Sequence, residues 1–273
     1  MVDWFYLGAI FDSDSIWLHW HAHLEVIIGL GALQLIYIYA TGTLRIKHGL
    51  ATSQDPKQTA LFTLGNALIF ISISSPLHIL SDHYLFSAHM LQHIIITLFA
   101  PPLIIKGTPK YLISPLLKSK ITLKIFRKVF NPIFAIIIFN VIFSVWHLPV
   151  LYELSVHSHW IHVTEHILFI VSALIMWWPL CSQITEIPKL SYPLQILYLF
   201  VMSLAQILVF GIVTFAPDPI YTHYIEATRI WNISPLTDQQ IGGIIMKVGS
   251  GFMFMFMIVV AFFKWYDQET NNK

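Results

Sequence analysis

The sequence has few charges, and this scarcity excludes a soluble protein. Asp, Glu, Lys and Arg make up only 11% of the 273 residues, while 56% of the residues are hydrophobic and the mean hydropathy is +0.70. A soluble domain carries roughly 25% charged residues, so this chain could not cover a water-exposed surface of its size. The composition therefore predicts an integral membrane protein. Because the net charge is +1 and no basic stripe occurs, nucleic acid is not an expected partner.

Cysteine is also scarce, which removes another set of functions. The single cysteine, Cys181, allows neither a disulfide framework nor a CxxC metal or redox motif. The N-terminal segment lacks the basic region of a signal peptide. We therefore expect the first internal hydrophobic segment to direct membrane insertion.

Long apolar runs are abundant and define the fold class. A transmembrane helix needs about 20 predominantly apolar residues. Seven such runs occur, at about 16–43, 59–80, 84–107, 129–150, 157–181, 195–216 and 239–264. The sequence therefore predicts an all-α, polytopic membrane protein in which residues 1–273 form a single bundle of seven transmembrane helices.

Local signals refine the ends of these spans. Pro76 is expected to kink the second span, and the pair Pro101–Pro102 either breaks the inner end of the third span or ends it. Thr237 or Asp238 is expected to cap the seventh span.

The distribution of Lys and Arg predicts the orientation. The loops after the first, third and fifth spans and the C-terminal tail, with Lys106 at the edge of the third span, hold 13 of the 15 Lys and Arg residues. Arg229 lies on the other side, and Lys247 lies within the seventh span. Short cytoplasmic loops carry an excess of Lys and Arg. We therefore expect the N-terminus outside and the C-terminus in the cytoplasm.

Histidine is unusually frequent and lies on one side of this topology. Of the 14 histidines, all except His48 fall near the outer end of the predicted bundle. Residues four apart share one helix face, and three histidine pairs have this spacing: His19/His23, His89/His93 and His162/His166. With a rise of about 1.5 Å per residue, His89 and His162 lie ~7 Å below the start of their helices, and His93 and His166 ~13 Å. The two pairs therefore match in depth.

Matched imidazoles at membrane depth predict a metal site. Imidazole suits Zn, Cu, Fe and Ni, and ionisable groups inside a membrane are usually functional. The predicted ligands are His89, His93, His162 and His166, while His19, His23, His78 and Glu165 are further ligands or part of a second site. The alternative is that these side chains line a wet outer vestibule without binding metal.

Three charged residues lie deep in the predicted spans. Glu25, Glu165 and Lys247 are each ~12–14 Å below the outer surface by helix rise. Because a lone ammonium group in hydrocarbon is costly, we expect Lys247 to lie within salt-bridge reach of Glu25 or Glu165.

One short motif suggests a different chemistry. Residues 162–166, HVTEH, match the HxxEH motif of a class of zinc hydrolases in which the glutamate is the general base. The motif lies within a membrane span and lacks an evident third acidic ligand, so it is weak evidence for catalysis. A b-type cytochrome, with a haem held by two histidines of facing helices, is another alternative.

Several segments together resemble a known family. FSAHMLQH (86–93) running into APPLIIKGTP, WHLPVLYE (146–153), HVTEHILF to MWWPL (162–180) and PLTDQQIGGIIMK (235–247) are similar in order and spacing to the CtaG family. These are polytopic cytochrome c oxidase assembly factors of Gram-positive and related bacteria.

The resemblance implies a seven-helix protein of the bacterial plasma membrane that helps to mature a haem–copper oxidase and is not an enzyme. It implies oxidase subunits, together with membrane lipid, as partners. Combined with the histidine pattern, it predicts that the outer cluster binds copper, with zinc or haem as alternatives, and holds or hands on the metal.

Overall fold

The structure is a computed structural model, and it describes residues 16–18, 20 and 23–271. The described residues are almost entirely helical and contain no β-strand. The helices that carry the fold are α1 Leu24–Lys47, α2 Pro56–Ser74, α3 Pro76–His83, α4 Phe86–Gly107, α5 Lys120–Val129, α6 Pro132–Trp146, α7 Pro149–His157, α8 His159–Cys181, α9 Tyr192–Phe215, α10 Thr222–Glu226 and α11 Pro235–Asn271.

The number of spans agrees with a multi-pass membrane protein. Five of these helices, α1, α4, α8, α9 and α11, are long and apolar enough to cross a bilayer, and the total is up to seven if the bent pairs α2/α3 and α5/α6 each count as one span. Large apolar side chains such as Leu35, Phe215 and Phe252 are exposed, as expected for surfaces that face lipid.

Proline and capping residues explain the two bends. Helices α2 and α3 meet at 46°, where Pro76 has no N–H to continue the helix and the Ser75 hydroxyl accepts a hydrogen bond from the backbone N–H of Leu77. Helices α5 and α6 meet at 58°, where the Asn131 side chain caps α6 before Pro132. The predicted kink at Pro76 is therefore confirmed.

The other proline pair does not end its helix. Helix α4 runs through Pro101 and Pro102 to Gly107, with π-helical turns over Ile95–Phe99 immediately before them. A π-type turn shifts the hydrogen-bonding register, so the two missing proline N–H groups are accommodated where the ladder is already interrupted. The third span therefore ends near residue 107 as predicted, and its helical ladder is interrupted over Ile95–Phe99 rather than broken or ended at the proline pair.

Several predicted boundaries need correction. The first span begins at Leu24 rather than at residue 16, and the fourth ends at Trp146 because Pro149 starts the separate helix α7. The seventh span is longer than predicted and begins at Pro235. The Ser234 hydroxyl accepts from Thr237 N–H at its start.

Helix α4 lies at the centre of the bundle, where it contacts α2, α8 and α11. Two apolar clusters hold it there: an inner one around Trp177, Met176 and Phe139, and an outer one that includes Phe86 and Phe169. A buried hydrogen bond from the Trp177 indole N–H to the Thr97 carbonyl, 2.9 Å long, joins α8 to α4. The third and fifth predicted spans are therefore neighbours, as the histidine pattern requires.

Candidate metal centre

The histidines of α4 and α8 face each other at two levels. The ring centroids of His89 and His162 are 5.6 Å apart in the upper level, and those of His93 and His166 are 5.6 Å apart in the lower level. Each helix presents its two rings on one face because they are four residues apart. The depth matching expected from the sequence is present in the structure.

Three of the four predicted ligands form a compact group, which we call the deep site. His89, His93 and His166 are buried, and each offers a ring nitrogen such that the three atoms lie within 4.8 Å of one another. Both ring nitrogens of His89 and of His93 are buried without a hydrogen-bond partner among the described residues. His162 lies beside this group, with its Nε2 3.2 Å from Nε2 of His166.

Glu165 lies inside the same cluster. Its side chain is 1% exposed, and its Oε2 accepts a hydrogen bond from the hydroxyl of Ser155 on α7. Its Oε1 is 3.6 Å from Nε2 of His93 and 4.0 Å from Nε2 of His89. A carboxylate in this place can bind a metal directly or accept a hydrogen bond from the N–H of a metal-bound imidazole.

His147 adds a further imidazole next to the deep site. Its Nδ1 donates to the Phe143 carbonyl at 2.7 Å, which leaves Nε2 as the unprotonated nitrogen of the neutral ring. That Nε2 is buried with no partner among the described residues, and the ring centroid is 6.2 Å from that of His93. A backbone acceptor that fixes the tautomer is typical of metal-binding histidines.

His78 is held in a hydrogen-bond network rather than in the deep site. The Gln92 amide group donates to the Ser72 carbonyl at 3.0 Å and to His78 Nδ1 at 3.3 Å, while Gln92 Oε1 accepts from Ser81. Because Nδ1 accepts, the neutral ring of His78 carries its proton on Nε2. That nitrogen is 3.4 Å from Asp82 Oδ2, so His78 orients Asp82.

Two further groups of ligand atoms lie nearer the N-terminal ends of α4 and α8. Asp82, His89 and His162 form one group, and His23, Glu25 and His159 form the other, each with ligand atoms within 4.8 Å of one another. His23 also lies 3.1 Å from His78, Nε2 to Nε2. His19, a predicted further ligand, falls outside the described residues.

The loops fold over the cluster at the end of the bundle where α4 begins. Tyr152 of α7 donates to the hydroxyl of Tyr224 at 3.0 Å, Tyr224 donates to the Ser81 carbonyl at 2.7 Å, and Tyr221 donates to the His147 carbonyl at 3.0 Å. His223 donates from Nε2 to the Asp82 carbonyl at 2.8 Å. Burial lowers the pKa of His223, so it is the neutral ring that makes this contact.

The predicted pairing of Lys247 was wrong. Its ammonium group donates to the Ser203 carbonyl at 3.3 Å, and no carboxylate of the described residues forms an ion pair with it. Helix α9 is interrupted between Ala205 and Ile207, and such a break leaves carbonyl groups without helical partners. Lys247 faces this break, whereas both glutamates pair with histidines.

Sequence reasoning missed four participants: His147, Asp82, His159 and Ser155. Asp82 is four residues after His78, a spacing that places the two on one face and could have indicated it. His159 precedes the matched pair of α8 by three residues, so it shares their face as well. Ser155 had no such signal, because only the fold of α7 against α8 brings its hydroxyl to Glu165.

Comparison with known proteins gives one family. The family model described as cytochrome c oxidase caa3 assembly factor (Caa3_CtaG) matches residues 35–268, which includes all of α4, α8 and the cluster between them. No curated protein and no solved structure matches the chain.

Proposed function

The chain belongs to the family of cytochrome c oxidase caa3 assembly factors, and we propose that it acts in oxidase assembly by binding a copper ion in the deep site and holding or relaying it. The deep site is the observation that supports this proposal. It brings three buried imidazoles together and leaves both ring nitrogens of His89 and of His93 without a hydrogen-bond partner among the described residues.

The energetics favour a ligand in this pocket. A buried polar atom left unpaired costs about 1–3 kcal/mol, and His89 and His93 leave four ring nitrogens in this state. A bound ion accepts electron pairs from one nitrogen of each ring, and each second nitrogen then carries the proton. Glu165 is placed to accept a hydrogen bond from one of those N–H groups.

Copper is the ion that the family function favours. Imidazole binds both zinc and copper, but cytochrome c oxidase is a haem–copper enzyme, so copper is the cargo that an assembly factor would carry. The partners in this proposal are the oxidase subunits that receive the metal.

The proposal places the cluster on the outer side of the bacterial plasma membrane. It takes the bent pairs α2/α3 and α5/α6 as one span each, which gives seven spans with the N-terminus outside. The charge distribution supports this orientation, because α5 and the loops at its end of the bundle carry most of the Lys and Arg residues.

Neither alternative has a favouring observation. The cavity beside His93 has a volume of about 20 Å³, enough for one water molecule and far too small for a haem. Glu165 of the HxxEH motif is buried and faces His89 and His93, and the ring of Tyr152 packs against His89. A general base of a hydrolase would instead have to face a cleft that admits substrate. We therefore propose a role without catalysis.

The test is metal analysis of the full-length chain purified in lipid nanodiscs and dialysed separately against copper and zinc. We expect about one tightly held copper per chain, and retention lowered at least ~10-fold in His93→Ala and His166→Ala because each removes a ligand. His48→Ala, which changes an exposed histidine of the loop after α1, is the matched control. A reduced-minus-oxidised spectrum tests for haem in the same samples.

Oxidase activity in cells tests the role itself. His89→Ala and His166→Ala should lower mature oxidase activity although the variants still insert, and excess copper should partly restore it. Normal oxidase levels with His89, His93, His162 and His166 all changed to Ala would refute the proposal. Loss of function in Glu165→Gln with copper retained would favour the hydrolase instead.

A further inference from the structure

A partly exposed group of ligand atoms lies above the deep site, at the outer end of α1 and α8. Glu25 Oε1 is 2.7 Å from His159 Nε2 and 3.6 Å from His23 Nδ1. That oxygen is buried, yet among the described residues it has no partner with hydrogen-bond geometry. Two imidazoles therefore lie in close contact with a carboxylate oxygen that accepts no hydrogen bond from the described residues. Nitrogen and oxygen ligands of this kind suit a divalent transition-metal ion. We call this group the mouth site.

An intermediate group connects the mouth site to the deep site. His78 lies between His23 of the mouth site and His162 of the intermediate group. Its Nε2 is 3.1 Å from that of His23, and its ring centroid is 6.2 Å from that of His162. His162 belongs to the group with Asp82 and His89, and its Nε2 is 3.2 Å from Nε2 of His166 in the deep site. His89 is shared by the intermediate group and the deep site. An ion could therefore move down by exchanging one ligand at a time.

Exposure falls from the mouth site to the deep site. The side chains of Glu25 and His159 are 34% and 27% exposed, that of His162 is 12% exposed, and that of His89 is fully buried. Asp82, at 23%, is about as exposed as His23, at 22%, so solvent reaches the upper ligands of both groups, whereas the deep site is buried.

The outer loops cover the cluster. Tyr152, Tyr221 and Tyr224 are at most 2% exposed and are hydrogen-bonded over the cluster. The ring centroid of Tyr152 is 5.3 Å from that of His89, so this ring covers His89 on the loop side. The ligands of the mouth site, with Asp82, are the partly exposed groups through which an ion in solution can reach the cluster.

We propose that His23, Glu25 and His159 form a second metal site that captures a divalent transition-metal ion, and that the ion passes through Asp82, His162 and His89 to the deep site. This inference rests on the proposed function, because it requires the deep site to bind metal. The ion keeps its oxidation state throughout, and each step exchanges one protein ligand for another.

The test follows the loading of full-length chain in nanodiscs with Cu²⁺ alone at substoichiometric concentration. Samples are quenched with excess EDTA at successive times, and chelator-resistant copper is measured by mass spectrometry. Glu25→Gln and His159→Ala should lower the initial loading rate about tenfold, the usual scale of losing one metal-site group, and should leave the final amount unchanged. His157→Ala is the control, since its ring is 65% exposed and lies two residues from His159.

The outcomes separate the mouth site from the deep site. His93→Ala should abolish chelator-resistant copper while the EDTA-accessible fraction remains, and His159→Ala should remove that fraction. Wild-type loading rates in both mouth-site variants would overturn this inference and leave the proposed function intact. A wild-type chain that never acquires resistant copper would overturn both.

Discussion

Asp238 ties the start of α11 to the start of α4, and its replacement is the sharpest test of how the cluster is held. Its carboxylate oxygens accept the backbone N–H groups of Phe86 at 2.7 Å and Ser87 at 3.1 Å, and the residue is fully buried. These N–H groups belong to the first turn of α4, where no helical partner is available. Negative charge at a helix N-terminus is stabilising.

The magnitude follows from these two bonds. A hydrogen bond to a charged group contributes about 1.5–3 kcal/mol. Asp238→Asn keeps one acceptor and loses the charge, so it should lower the free energy of unfolding by about 1.5–3 kcal/mol. Asp238→Ala loses both bonds and should cost about 3–5 kcal/mol. Because His89 lies in the same turn of α4, copper affinity should fall as well.

Thermal unfolding in nanodiscs and copper titration of the same samples measure both effects. Asp267→Asn is the matched control, since Asp267 is an exposed acid of the same helix. If Asp238→Asn and Asp267→Asn unfold at the same temperature, the carboxylate does not stabilise α4 as argued. If Asp238→Ala is destabilised but binds copper as wild type does, the cap does not position His89.

Other predictions concern packing, buried polarity and orientation. Gly107→Ala should cost about 3 kcal/mol or more, because its Cβ would lie 2.3 Å from a backbone nitrogen of α2. A Cβ at Gly211 meets nothing within 4 Å, so Gly211→Ala should be neutral or stabilising. Equal unfolding temperatures for Gly107→Ala and Gly211→Ala would contradict the packing argument. Gln92→Leu should cost about 2–4 kcal/mol by leaving buried groups unpaired, as thermal unfolding will show. An impermeant thiol reagent on intact cells should label Thr222→Cys but not Ser119→Cys, and the reverse would invert the proposed orientation.

Much of the fold was predictable, because bilayer thickness fixes how long an apolar segment must be. The sequence did not show that α7 is a helix of its own, because residues 151–156 fall in the connection between the predicted fourth and fifth spans. It also could not show that α4 continues through Pro101 and Pro102, because the π-helical turns that accommodate them have no simple sequence pattern.

The site was predictable where helix periodicity decides it. The four-residue spacing on α4 and α8 correctly placed His89 over His93 and His162 over His166. The partners of charged groups were not predictable, because equal depth does not decide which helices touch. Lys247 meets the break in α9, and Asp238 caps α4 rather than its own helix.

The unpaired nitrogens of the deep site also link metal binding to the stability of the bundle. A ligand that binds only the folded chain stabilises it by about 2.7 kcal/mol at 100 times its Kd. Release of the metal ion to a partner must overcome this stabilising free energy and must bring the buried imidazoles into contact with water. A closed deep site is therefore suited to holding an ion, while a partly exposed mouth site is suited to exchanging one. In the proposed function both sites lie along α8, with His162 between His159 and His166, so that one bundle would both capture copper and retain it.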